Sequence, residues 1–108
     1  MNVSSLYRVM KVSTIPQNMS DDLYIAAKQV SQEVIVGKDF QIENGLTYLD
    51  ENSQETTIIM DNHRLVKKPG FEIFAFHIDK LSFYIKNDFI YMMIGREDKT
   101  YTFLIGSQ

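Results

Sequence analysis

The sequence predicts an α+β fold in which an N-terminal helix packs on an antiparallel β-meander. Three observations carry this expectation. Apolar residues at helical spacing form a stripe from Leu23 to Val34. Beyond Gly37 the apolar period changes from that of a helix to that of a strand. From His63 to Ile105, runs rich in Phe, Tyr and Ile alternate with turn residues.

Bulk properties bound the answer. At 108 residues the chain suits one domain and one core. Hydrophobic residues make up 44% and charged residues 23%, ordinary for a folded globular domain. The net charge of −3 gives no general attraction to nucleic acid. With no cysteine, a disulfide framework, a thiolate metal site and a cysteine nucleophile are all excluded. No apolar run approaches the roughly 18 residues of a membrane span, and no secretory signal is visible.

Residues 1–19 form a first segment and residues 20–108 a single globular domain. In the first, Leu6, Val9 and Met10 lie at helical spacing, Ser4 or Ser5 could cap the turn, and Pro16 stops any continuation. The segment reads as a short helix of its own, as the end of a longer helix, or as a frayed terminus. The main helix starts at Ser20, a good N-cap, with Asp21 and Asp22 at the positive end of the dipole. Met19 and Tyr24 fit a hydrophobic staple. Leu23, Ala26, Ala27, Val30 and Val34 make the buried stripe, while Lys28, Gln29, Gln32 and Glu33 fill much of the opposite face. Gly37 ends the helix.

Strands follow. Phe40 and Ile42 flank Asn44-Gly45 with Leu46 and Tyr48, which suggests a tight hairpin with short arms or a bulge within a longer strand. Asp50 to Glu55 is a polar loop, Thr56 to Met60 a strand, Asp61-Asn62 a turn and Arg64 to Lys68 the return arm. The stretch from His63 onward reads as one unbroken meander: Phe71–Asp79, Lys80–Lys86, Phe89–Ile94 and Thr100–Ile105, jointed at Pro69-Gly70, Asn87-Asp88 and Gly95 to Lys99. In Phe89–Ile94 both alternating faces are apolar, so cover is expected on both. One helix covers one face; the other needs a second layer, a curl of the sheet or a partner.

Chemistry is sparse. His63 reads as a solvated turn histidine beside Asp61, and His77 as a surface or half-buried strand residue near Asp79 with no nucleophile to serve. Neither has the further ligands a metal needs. Glu43, Asp50, Glu51 and Glu55 gather around a loop lacking the central glycine of a Ca²⁺ loop. Arg64, Lys67 and Lys68 form a basic stretch before Pro69-Gly70, and Lys80, Lys86, Arg96 and Lys99 follow at turns and edges. With Tyr84 and Tyr91 it could serve single-stranded nucleic acid, but an edge protected by charge fits better. Charge reversal at Lys67 and Lys68 is therefore expected to leave folding intact. No catalytic, cofactor-binding or metal residue is assigned.

The order of elements resembles the soluble part of ComGF-type competence minor pseudopilins over residues 20–105. The resemblance is carried by Leu23 to Val34, Asn62-His63-Arg64-Leu65-Val66-Lys67-Lys68, Gly70-Phe71, Ile78-Asp79-Lys80-Leu81-Ser82-Phe83 and Asp98-Lys99-Thr100-Tyr101. It implies a pilin-like head of a Gram-positive DNA-uptake pilus, anchored at the cell membrane with the head on the extracytoplasmic face. It implies no enzymatic activity and no cofactor. The implied partners are other minor pseudopilins and the major pseudopilin, and the role is filament initiation or assembly. Phe74, Phe76, Tyr84 and Tyr91 are the candidate contact residues, and direct DNA contact is not favoured by the net charge. The family's cleavage motif and long apolar helix are not in this sequence. A chain cut just ahead of the head would account for that, with Ser4 to Val12 the end of the missing helix. The alternatives are a small cytoplasmic binding module, such as an immunity or inhibitor protein, and a small-ligand-binding protein or enzyme using the space between helix and sheet, which a buried polar pocket around His77 would favour.

Overall fold

The computed structural model describes residues 9–11 and 21–108. Helix α1 spans Asp21–Val36. The strands are β1 (Val9–Lys11), β2 (Lys38–Ile42), β3 (Leu46–Leu49), β4 (Glu55–Asp61), β5 (Arg64–Lys68), β6 (Glu72–Ala75), β7 (Lys80–Lys86), β8 (Phe89–Arg96) and β9 (Lys99–Ser107). The architecture is α+β, one helix packed against antiparallel sheets, as the periodicity predicts.

The strands form two sheets where the sequence suggests one meander. The first has the order β2-β3-β4-β5-β6, antiparallel throughout; the second is β1-β9-β8-β7. The break falls between β6 and β7. Phe71–Asp79 is therefore not one strand: only Glu72–Ala75 pairs with β5. His77 takes φ 59, in the left-handed region, which an extended strand cannot accommodate. The chain turns there and enters the other sheet.

Val9–Lys11 is likewise not helical. It lies parallel to β9, with Val9 opposite Thr102 and Lys11 opposite Leu104. The Ser20 cap and the Met19 staple lie outside the described residues, as does the rest of the first segment.

The helix stripe is realised in full. Leu23, Ala26, Ala27 and Val30 are completely buried and Val34 nearly so. They join Leu46, Tyr48, Ile58 and Leu65 of the first sheet and Ile90, Met92, Ile94, Phe103 and Ile105 of the second in one core. The second layer that β8 calls for is thus another sheet, but it covers one face only. On the other face Tyr91 and Met93 remain half-buried.

Three hairpins use two-residue turns whose central residues both have positive φ: Asn62-His63, Asn87-Asp88 and Glu97-Asp98. That is the type I′ geometry, whose twist matches paired strands. The polar loop closes on Asp50, whose Oδ1 accepts from the amides of Asn52 and Gln54 at 2.8 and 2.9 Å.

Where α1 crosses β9, space is the constraint. A Cβ at Gly106 would overlap Cγ1 of Val34. Gly106→Ala is expected to destabilise by about 1–3 kcal/mol. Adding Val34→Ala should recover part of that loss in urea melts. Strictly additive losses would show that the two positions do not share the space.

Candidate functional site

Three surfaces bear on function. The first is a cleft of about 660 Å³ lined by Asp22, His63, His77, Asp79, Arg96 and Glu97. Both histidines lie here, brought together by the sheet switch. His77 sits in the bend after β6 and is exposed, not in a strand. Arg96, at the end of β8, donates from Nη1 to Asp22 Oδ1 at 3.1 Å and from Nη2 to Oδ2 at 2.8 Å. Its Nε donates to the His77 carbonyl at 3.2 Å and its Nη2 to the Phe76 carbonyl at 2.6 Å. The bidentate bond with Asp22 outweighs partial burial and raises the already high pKa of the guanidinium.

His63 Nδ1 lies 3.1 Å from the carbonyl oxygen of Ile78. A carbonyl only accepts, so Nδ1 carries the proton and a neutral ring keeps Nε2 as its acceptor. Asp79 Oδ2 accepts from the Glu97 amide at 3.0 Å. No hydroxyl or thiol is among the described residues that line the cleft. Among the described residues no three His, Asp or Glu side chains are arranged to hold a metal ion. The polar groups here mostly secure the backbone of the corner.

The second surface is the basic stretch, and it divides. On a strand, alternate residues face opposite ways. Arg64 and Lys68 share a face with Phe71, their charged groups 5.0 and 5.6 Å from its ring centroid. Lys68 also pairs with Asp61 at 3.0 Å. Lys67 points to the other side, where its Nζ donates to Glu33 Oε2 on α1 at 3.0 Å and approaches Glu72 at 3.3 Å. The hydroxyl of Tyr48, itself nearly fully buried, donates to Glu33 Oε1 at 3.1 Å. Burial, then the Glu33 charge, raises the Tyr48 pKa well above the phenol range. Burial works against the Lys67 ammonium, but Glu33 and Glu72 more than offset it and raise its pKa.

The third surface is the outer face of β7, β8 and β9. Tyr84 and Tyr91 pair across strands and stack, ring centroids 4.8 Å apart. Tyr91 is opposite Leu104 on β9, and Met93 follows two residues along. All four are half-buried. Burial, then the neighbouring Tyr91, raises the Tyr84 pKa. Phe74 and Phe76 do not join this face. Phe74 packs against the core, and Phe76 is 53% exposed beside His77.

Sequence reasoning did not single out Arg96 or Glu33 for these roles. Helical spacing puts Glu33 on the face opposite the stripe, although it adjoins Val34 and lies three residues after Val30, at the stripe's margin. Arg96 gave no signal, because Asp22 is 74 residues away. No helix among the described residues is long and apolar enough to cross a membrane. No family model, curated protein or solved structure matches the chain.

The expectation that reversal at Lys67 is harmless gives way to a different one. Lys67→Glu places a second carboxylate against Glu33 and is expected to cost about 1–3 kcal/mol, while Lys68→Glu, at an exposed pair, costs under about 1 kcal/mol. Because the folded pKa of Lys67 is raised, its contribution is full below the unfolded value near about 10.4. It is lost as pH climbs through the higher folded value. Denaturant melts of Lys67→Met beside the parent should therefore show a stability gap that is constant to about pH 9 and narrows above it. Equal costs for the two reversals would sink the assignment.

Arg96→Lys keeps the charge and loses the planar fork. Hydrogen exchange should then quicken at the amides of Ile78 and Asp79, which bond across the corner to His63 and Gly95. Unchanged exchange would show the corner to be held by other contacts.

Proposed function

We propose that this chain is the globular head of a ComGF-type competence minor pseudopilin, a non-enzymatic component that acts through contacts with other minor pseudopilins. In its native setting the head is membrane-anchored and faces outward from the cell. The reading rests on the sequence resemblance. The structural observation that supports a contact role is the outer face of β7–β9, where Tyr84, Tyr91, Met93 and Leu104 lie together half-buried. A stacked aromatic pair amid apolar neighbours suits a protein interface, where aromatic residues concentrate binding energy.

Phe74 is better regarded as core than contact, since it packs against buried residues. Phe76 is exposed beside the His77 ring, apart from the outer face. The contact residues of this proposal are therefore Tyr84 and Tyr91.

The test is binding of this head to each recombinant minor pseudopilin head of the same pilus, by interferometry. At least one pair is expected to bind, with Tyr84→Ala and Tyr91→Ala each weakening it roughly tenfold or more. Both variants should keep the parent melting profile within a few degrees. Absence of binding to every pilin head, with the native protein recovered only from the soluble cytoplasmic fraction, would overturn the proposal in favour of a cytoplasmic binding module.

A further inference from the structure

A groove of about 400 Å³ opens between the two sheets, lined on its apolar side by Ile42, Ile59, Met60, Leu81 and Phe83, with Glu43 at its β2–β3 end, away from Lys86 along the chain of β7. Two strand edges flank it. Among the described residues β7 is the terminal strand of its sheet and carries a ladder only toward β8. β4 runs to Asp61, yet its pairing with β3 stops at Ile58. From Ile59 onward its ladder lies on the β5 side alone. An edge of this kind is a template for another extended segment.

Charge decides which segment. β7 reads Lys80-Leu81-Ser82-Phe83-Tyr84-Ile85-Lys86. Lys80, Ser82, Tyr84 and Lys86 share one face, and Leu81, Phe83 and Ile85 the other. In a second copy pairing antiparallel about Phe83, each Lys80 would stand opposite a Lys86. Like charges directly opposite are destabilising, so the edge disfavours its own copy. A strand with acidic residues six positions apart would place one carboxylate against each lysine. Apolar residues at its even positions would then enter the groove.

We propose that β7 and the adjoining groove form a β-augmentation site for an extended, acid-ended segment of a partner protein. Backbone hydrogen bonds to β7 supply the pairing. Lys80 and Lys86 set the register, and the apolar groove selects alternating aliphatic side chains. The site adjoins the outer aromatic face, because Lys80 and Lys86 share the Tyr84 side of β7, and it does not depend on the pseudopilin reading.

The probe is a blocked heptapeptide, acetyl-Glu-Val-Tyr-Val-Thr-Val-Glu-amide, titrated into the ¹⁵N-labelled protein. Its lysine-ended counterpart serves as the comparison. The acid-ended peptide is expected to bind, with shifts confined to β7, the Asn44-Gly45 turn and the Ile59–Met60 end of β4. The lysine-ended peptide should bind at least about tenfold more weakly. In Lys80→Glu/Lys86→Glu the preference should invert; should that chain fail to fold, Lys80→Gln/Lys86→Gln should erase the difference. No binding at millimolar peptide, shifts elsewhere, or indifference to the charges would overturn the proposal and leave the lysines as edge protection only. A negative peptide result with positive pilin-head binding would remove this site alone. The converse would remove the pseudopilin reading alone.

Discussion

The guanidinium of Arg96 joins three parts of the chain that share no local sequence relation. It reaches the first turn of α1 through Asp22 and the corner between the sheets through two carbonyls, from its own place at the end of β8. Those carbonyls need donors because the backbone at Phe76 and His77 has left one ladder and not yet entered the next. An arginine suits the task, since its fork supplies several donors in one plane with a charge that is never lost. The Ile78 amide and His63 Nδ1 complete the joint by bonding the β4–β5 turn to the same corner. The joint lies where the meander changes sheets, and it ties the helix start, the β4–β5 turn and the end of β8 to that corner beside the fully buried Ile78.

The change of sheets determines which surfaces stay open. α1 lies against β9 of one sheet and β6 of the other, so a single helix closes the core over both. Its small residues, Ala26 and Ala27, and Gly106 beneath Val34, permit that approach. The helix is also held at its side, where Glu33 takes Tyr48 and Lys67 from the first sheet. With helix and sheets occupied by one another, no described residue covers the outer face of β7–β9 or the seam between β4 and β7.

Much of this was legible in local pattern. The helix stripe, the Asn44-Gly45 hairpin, the return arm at Arg64 and the last three strands all follow from period and turn chemistry. The errors have a common cause. Reading Phe71–Asp79 as one strand required the backbone to stay extended at His77, and only a contact 19 residues away, from Arg96, shows why it does not. At Val9 and Met10 helical spacing has a competitor that local pattern does not show, because β9 offers Val9–Lys11 a ladder. The basic stretch is different, because strand alternation alone separates Lys67 from Arg64 and Lys68. That division was readable, and treating the three residues as one patch overlooked it. The cleft that unites His63 and His77 was not readable, since it forms only once the corner is folded.

The edges of the two sheets are not equivalent. β1 spans three residues, and β6 four with an irregular register against β5. β2 is interrupted near Asp39, where φ is 59. Short or bulged edges pair poorly with incoming strands. β7 is seven residues long, pairs with β8 without a break in register and carries apolar residues along one face. By edge geometry alone it would be the place where copies of this chain aggregate. A lysine at each end counters self-pairing without interrupting the strand, whereas a proline or bulge would have closed the edge to every partner. The edge therefore remains usable by a segment whose charges complement it, and β7 is both the strand most exposed to unwanted pairing and the one best suited to a selective partner.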